Sequence, residues 1–425
     1  MRTYDTYKDS GISWLGLIPS HWESRKFKFT FSERKQKGFP DEPLLAATQS
    51  HGVIPKDLYE TRTMVATKGL ETLKLVEKGD FVISLRSFQG GIEYAYYRGI
   101  ISPAYTVLTP TAISANYFKY LGKCQSFIAL LKSSVTGIRE GQNIDYCKLR
   151  ENLLPLPPVN EQETIAAYLD SATAEIDKAI ASQQRMVELL QERKQIIINQ
   201  AVTQGLNPDA PMKPTNIDWL PQIPAHWQLY RLGALGAFSK GSGIARDDLQ
   251  DEGLPAILYG DIYTKYEISV RNLKNKISEK TAQNAVKIQA GDILLTGSGE
   301  TKEDIGKTIL YEGNEAYAGG DVIIFRQQSQ DGKFLSYLLN SFYSRRYKAA
   351  TSKGEIVVHT YPYILKDLYL PIPPLEEQEG IAHNLDKNCS EIEAAITRCE
   401  QKIALLTERK QILINDVVTG KIKII

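Results

Sequence analysis

The chain has 425 residues, with 51 Lys plus Arg against 50 Asp plus Glu, 42% hydrophobic and 24% charged residues. This is the balance of an ordinary folded protein long enough for two or three domains, and it excludes a partner captured by bulk basicity, so any basic face must be local. Four cysteines without CxxC spacing read as free, buried thiols of a reducing compartment, and neither a signal-type apolar core at the start nor a run near the ~20 residues of a membrane span is visible, so the expectation is a cytoplasmic protein with no membrane partner.

In chain order, the first motif is Ser13-Trp14-Leu15-Gly16-Leu17-Ile18-Pro19-Ser20-His21-Trp22. A basic stretch follows, Arg25, Lys26, Lys28, Arg34, Lys35 and Lys37 with Phe27, Phe29 and Phe31 between them, and its alternation predicts a strand with one charged face. A predicted core strand at 79–85 ends in the tip Arg86-Ser87-Phe88-Gln89, with Tyr94, Tyr96, Tyr97 and Arg98 beyond it. A second strand at 105–108, a helical pattern over 115–131 and a polar loop at 136–143 complete the region.

Residues 154–203 then read LPLPPVNEQETIAAYLD…EIDKAI…LLQERKQIIINQAVT, a helix signal. Pro157 and Pro158 set an extended approach, and Asn160 with Glu163 resembles a capping box. Leu169, Ala172, Ile176, Ala179, Met186, Leu190 and Ile197 recur at 3,4 spacing. A run of about 40 residues makes a rod of about 60 Å. The proline-bearing segment 205–217 is predicted to be an extended linker.

The pattern then repeats. The Trp motif returns as Asp218-Trp219-Leu220-Pro221-Gln222-Ile223-Pro224-Ala225-His226-Trp227, strands are predicted at 291–296 and 321–325, a helical pattern at 333–350 and a loop at 352–359. The helix signal is rewritten at 370–419 as LPIPPLEEQEGIAHNLD…EIEAAI…LLTERKQILINDVVT. The offset between copies is 205 at the Trp motif (219 minus 14) and 216 at the Pro-Pro motif (373 minus 157). Helices stay in unbroken register while the regions before them diverge, as expected of a shared scaffold bearing two different readers. The expected fold is therefore α+β: two globular domains of mixed sheet plus helices, 1–153 and 218–369. They are joined by two long antiparallel helices, 154–204 and 370–425, forming a coiled coil with pseudo-two-fold symmetry, with 205–217 as linker.

Signatures of catalysis are missing. No Asn/Asp-Pro-Pro-Tyr/Phe motif occurs, and the cluster Phe238-Ser239-Lys240-Gly241-Ser242-Gly243 lacks a convincing preceding strand for a cofactor loop. Gly306-Lys307-Thr308 imitates the tail of a phosphate loop, yet Thr301 stands where the earlier glycine should be and a strand follows. His21 and His226 have no further ligands at metal spacing, so hydrogen bonding within the turn is their expected role. No catalytic residue, metal or cofactor is expected.

The order of LPxPPxxEQ helix, WLGxIPxHW motif and Gly79–Gly91 strand and loop resembles the specificity subunit of type I restriction-modification enzymes over nearly the whole chain. That resemblance implies two target-recognition domains reading a split double-stranded DNA sequence and helices that set the gap. It also implies docking of two methyltransferase subunits, with nuclease/translocase subunits completing the enzyme and no catalysis by this chain. Residue type then selects DNA candidates, since Lys and Arg suit phosphate or guanine and Asn or Gln suits adenine. In the first module these are Lys26, Lys28, Arg34, Lys35, Lys37, Arg86, Ser87, Gln89, Tyr94, Tyr96, Arg98, Arg139, Gln142 and Asn143. In the second they are Lys240, Arg246, Tyr259, Tyr263, Lys265, Ser298, Lys302, Lys307, Lys353 and His359. Glu161, Gln162, Glu192, Arg193, Lys194 and their copies Glu377, Gln378, Glu408, Arg409, Lys410 are expected to face protein partners. The alternatives are a stand-alone DNA-modifying enzyme and a protein-only coiled-coil adaptor.

Overall fold

A computed structural model describes residues 2–59, 69–136 and 143–424. The chain is α+β and divides into two compact units, Met1–Gln184 with Glu400–Ile425, and Arg185–Cys399. Two long helices, Val159–Gln204 and Leu375–Val418, each begin in one unit and end in the other.

In the first unit a small hairpin pairs Tyr7–Asp9 with Leu17–Pro19, and Glu23–Lys26 pairs antiparallel with Leu153–Leu156 just before the first long helix. The predicted alternating strand at 25–37 is instead interrupted. Phe27–Phe29 forms a 3₁₀ turn that buries Phe27, and only then does the strand Phe31–Arg34 begin. That strand edges a four-stranded antiparallel sheet in the order Phe31–Arg34, Thr106–Pro110, Phe81–Ile83, Glu93–Tyr94.

The second unit repeats the plan with additions. Met212–Ile217 pairs with Leu220–Pro224, so the end of the predicted linker is the first strand of a hairpin, and Gln228–Arg231 pairs with Tyr369–Ile372. The main sheet has five strands, Gly236–Lys240, Val322–Gln327, Asp292–Thr296, Thr308–Tyr311 and Ser269–Val270, the last pair parallel. A second five-stranded sheet packs beside it. A strand does therefore precede Gly241, contrary to the sequence expectation. It is the edge of an antiparallel sheet followed by a short 3₁₀ turn, Arg246–Asp248, which is not the helix a phosphate loop requires.

The strands aligned between copies form the same pair in both sheets. Phe81–Ile83 lies against Thr106–Pro110, and Asp292–Thr296 lies against Val322–Gln327. Each is entered by a left-handed glycine, Gly79 (φ 95°) or Gly291 (φ 92°). Behind that glycine a buried carboxylate closes the turn: Asp80 accepts from the Glu77 amide at 2.9 Å, and Asp292 from the Gln289 amide at 2.9 Å. Opposite each stands a two-pronged arginine, Arg34 on Asp80 (2.6 and 3.1 Å) and Arg326 on Asp292 (2.7 and 2.7 Å).

The helical patterns resolve into pairs, Ala115–Leu121 with Gln125–Ser133 and Gly332–Asn340 with Phe342–Thr351. Their apolar faces, with the Trp motif and the ends of both long helices, fill one core per unit. Leu169, Ile198, Val202, Leu385, Leu413 and Val417 are buried there, whereas the stretch between is half-buried and Met186 is exposed, outside the expected stripe. All four cysteines are free. Cys124 and Cys389 are buried, but Cys147 is exposed, which corrects the uniform expectation.

Candidate nucleic-acid interface

What positions the loops is a duplicated seam between each domain and the helices. Each long helix begins at the residue after Pro-Pro, Val159 or Leu375, so Asn160 lies inside the helix and is no cap. The next residues turn inward. Gln162 donates to the Pro157 carbonyl (2.8 Å) and accepts from the Ser114 amide (2.8 Å). Gln378 donates to the Pro373 carbonyl (2.9 Å) and accepts from the Asp331 amide (2.9 Å). Ser114 and Asp331 are the N-caps of the first domain helix in each unit.

The neighbouring glutamates hold the Trp motif. Glu161 accepts from Tyr4 (2.5 Å) and bonds His21 (2.8 Å); Glu377 bonds His226 (2.7 Å) and accepts from Trp227 Nε1 (3.1 Å). The histidines thus reach the helix start, beyond the turn expected of them. One helical stretch later, Asp170 takes Lys119 and Tyr120, and Asp386 takes Lys333 and Tyr337. At the other end of the seam, Asn415 accepts from Ser126 and Asn199 from the Phe342 amide. Glu161, Gln162 and Gln378 are buried in this seam, so they face the chain's own domains and not a protein partner.

Trp22 and Trp227 are fully buried between these parts. Trp22 abuts Gly420, and Trp227 abuts Gly205, the left-handed residues that end the long helices (φ 77° and 78°). Burying about 200 Å² of indole stabilises each seam by at most about 5 kcal/mol. Sequence reasoning missed Asp170, Asp386, Asn199 and Asn415; their signal was identity of a polar residue in both copies at helix positions beside the apolar stripe.

On this frame the segment after the central strand meets a second strand in each unit. In the first, the strand Phe81–Ile83 runs into a short helix, Ser87–Gly90, that lies against the strand Asn143–Ile144. Arg86 and Gln89 are exposed there, and Tyr96 is 44% exposed with its ring against Tyr94. Ser87 is buried and accepts from the Ser84 amide, which corrects its assignment as a contact. Arg139 and Gln142 lie outside the described residues; Asn143 sits at the start of its strand.

The other first-unit candidates do not join this cluster. Arg34 is engaged with buried Asp80, Lys26 and Lys28 share Glu151, Lys35 pairs with Glu33, and Arg98 bridges Glu42 and Glu77. Lys37 is exposed.

In the second unit the strand Ser298–Gly299 pairs with Val358–His359, joining the two loops directly. Ser298 is buried and bonds His359 Nδ1 at 2.9 Å, Thr296 and Ser298 meet Tyr263, and Lys307 donates to the Tyr263 carbonyl. His359, Tyr361 and Tyr363 form a ladder of stacked rings, with Lys353 over Tyr363. Beside the paired loops a cavity of about 500 Å³ is lined by Tyr259, Tyr263, Gly299, Glu300, Thr301 and Asp304 among others. Lys302 is exposed on the same loop, and Lys240 pairs with Asp321 nearby. Lys265 is drawn away to Asp261 and Asn275, and Arg246 stands exposed on a separate turn.

Of the partner-facing candidates, Lys194 pairs with Glu393 (2.6 Å) in the second unit, and Lys410 with Asp177 (2.7 Å) in the first. These are one pair seen twice at the 216-residue offset (410 minus 194, 393 minus 177), and each joins the two long helices within its unit. Both lysines are thereby withdrawn from a partner surface, while Glu192, Arg193, Glu408 and Arg409 are exposed.

Comparison with known proteins adds three observations. Residues 224–399 match the family model described as type I restriction modification DNA specificity domain. The MjaVIII specificity subunit of Methanocaldococcus jannaschii is 26% identical over 288 residues, 65% of this chain and 64% of that one. The StySPI specificity subunit of Salmonella potsdam is 24% identical over 286 residues, 65% of this chain and 58% of that one, so the matches span less than two thirds of these relatives. Two solved structures share the fold at 16% identity and 95% coverage of this chain. One belongs to work on complex assembly and conformational transition of the type I R-M system (TM-score 0.72, 99% of that chain), the other is the HsdS subunit of Thermoanaerobacter tengcongensis (TM-score 0.52, 98%).

Proposed function

We propose that this chain, which belongs to the family of type I restriction-modification specificity subunits, is the DNA-reading part of such an enzyme, each unit reading one half of a two-part site. The observation that carries the reading is the contrast within the duplication. The seam of Gln162/Gln378, Glu161/Glu377, Asp170/Asp386 and Asn199/Asn415 is the same in both units, while the loops it holds carry different chemistry.

Exposed Arg86 and Gln89 suit phosphate, guanine or adenine contact; exposed Lys302, with Lys353, Tyr259 and the tyrosine ladder, suits backbone positioning and packing against base edges. The long helices fix the gap between half-sites, because stiff helices hold two readers to about one turn of duplex, ~34–36 Å, or a multiple. Glu192, Arg193, Glu408 and Arg409 dock two methyltransferase subunits, and nuclease/translocase subunits join the assembled enzyme. The chain itself performs no chemistry, and its place of action is the cytoplasm, where the DNA is.

Titrating a random duplex with the purified chain at increasing salt tests this. DNA reading predicts an affinity that falls steeply as salt rises, through displacement of counterions from several phosphates, and neither methyl transfer nor cleavage when methyl donor or divalent metal is added. Absence of duplex binding would favour a protein-only adaptor; product formation by the lone chain would favour a self-sufficient enzyme.

A further inference from the structure

We infer that Glu300 selects a cytosine in the half-site read by the second unit. The inference rests on the DNA-reading function proposed above and assigns the chemistry of one contact. The two central strands superpose in sequence through their Gly-Asp turns, at an offset of 212 (292 minus 80), so the segments that follow them are equivalent outlets of the same scaffold. In the first unit that outlet ends in a short helix with Arg86 and Gln89 exposed. In the second it continues as Ser298–Gly299, fixed against Val358–His359, and then presents Glu300 to solvent at the wall of the 500 Å³ cavity.

Glu300 is chemically out of place on a surface that approaches phosphate. Its neighbour in the cavity wall, Asp304, is satisfied by the Thr301 hydroxyl at 3.0 Å, whereas no hydrogen bond or ion pair engages Glu300 among the described residues. A carboxylate accepts and cannot donate, so what it can hold in a groove is an amine donor on a base edge. Two bases offer one in the major groove. Adenine presents N6 beside N7, and the N7 lone pair would face the second carboxylate oxygen; cytosine presents N4 beside a C–H, with no opposing acceptor. Tyr259 and Tyr263 stand on the same wall, so a base edge entering beside them displaces water from around the carboxylate, which favours a direct bond over a solvated charge.

The test is selection of bound sequences from a random duplex pool by the full chain, wild type against Glu300→Gln and Glu300→Ala. Because Glu300 is exposed, both variants should fold. The wild type is expected to enrich a two-part sequence with one cytosine column that both variants weaken by roughly 5- to 150-fold, and Glu300→Gln should shift that column toward adenine, which an amide can bond at both N6 and N7. A joint Arg86→Ala, Gln89→Ala variant should alter columns in the other half only. Persistence of every cytosine column in both Glu300 variants overturns the assignment while leaving DNA reading intact. Failure of the wild type to enrich any two-part sequence overturns the underlying reading as well.

Discussion

Lys348 is fully buried, and its Nζ donates to the carbonyls of Leu339 (2.8 Å) and Gly306, tying the end of one domain helix to the loop that carries Lys302 and Lys307. Burial disfavours the charged form and pushes its pKa from 10.5 down to about 7. Because the folded value lies below the unfolded one, between these limits the unfolded chain binds the proton that the folded chain releases. Stability from this group is therefore greatest above pH 10.5 and is lost as pH falls toward 7. Thermal unfolding of Lys348→Met should show a shallower rise in melting temperature from pH 7 to pH 10 than the wild type. Equal slopes would mean that the amine is not held neutral in the fold.

The same scale explains which residues could be read from sequence. Residue type alone nominated Arg34 and Ser87 as DNA contacts, but their partners decide otherwise: Asp80 is 46 residues from Arg34, and the Ser84 amide becomes an acceptor's target only once the short helix closes. Arg86 and Gln89 are exposed, with no side-chain partner among the described residues. Local propensity sees neighbours in sequence; an ion pair across a sheet depends on a register that only the fold sets.

Among elements, the long helices were legible because more than forty residues of periodic pattern leave few alternatives. Their ends were not. The capping box assigned to Asn160 gives way to prolines whose carbonyls receive Gln162 and Gln378, a partnership made valuable by the domain helix whose N-cap amide the same side chain binds. The alternation at 25–37 misled because Phe27 enters the core through a 3₁₀ turn, stacking on Phe31 at 4.7 Å.

Glycines on the helices give a paired prediction. At Gly205, φ is 78° and an added Cβ would lie 3.2 Å from Glu377 Oε1 and 3.3 Å from Trp227, inside the seam. Gly205→Ala should therefore cost about 1–2 kcal/mol. Gly380 lies within the second long helix with nothing within 4 Å of its would-be Cβ, so Gly380→Ala should add about 0.5–1 kcal/mol. Urea unfolding midpoints in opposite directions confirm the roles; a loss of stability in both would remove the distinction between cap and helix interior.

For the whole molecule, the duplication sets apart what is held constant from what varies. The reciprocal pairs Asp177–Lys410 and Lys194–Glu393 fix one antiparallel helix register inside each unit. Adding seven residues after Gln184 and seven after Cys399 leaves both pairs within their units while lengthening each helix by about 10 Å, close to three base-pair rises. Such a variant should abandon the original spacing, binding a longer gap or none. Unchanged preference for the original gap would show that the helices do not set it.

The most direct measurement of the proposed function is sequencing of methylated bases in cells that express this chain together with the methyltransferase subunits proposed to dock on it. Two dissimilar readers on one stiff scaffold predict methylation at two short, different sequences separated by a constant number of unspecified base pairs. A single uninterrupted sequence, or two halves at variable separation, would contradict it.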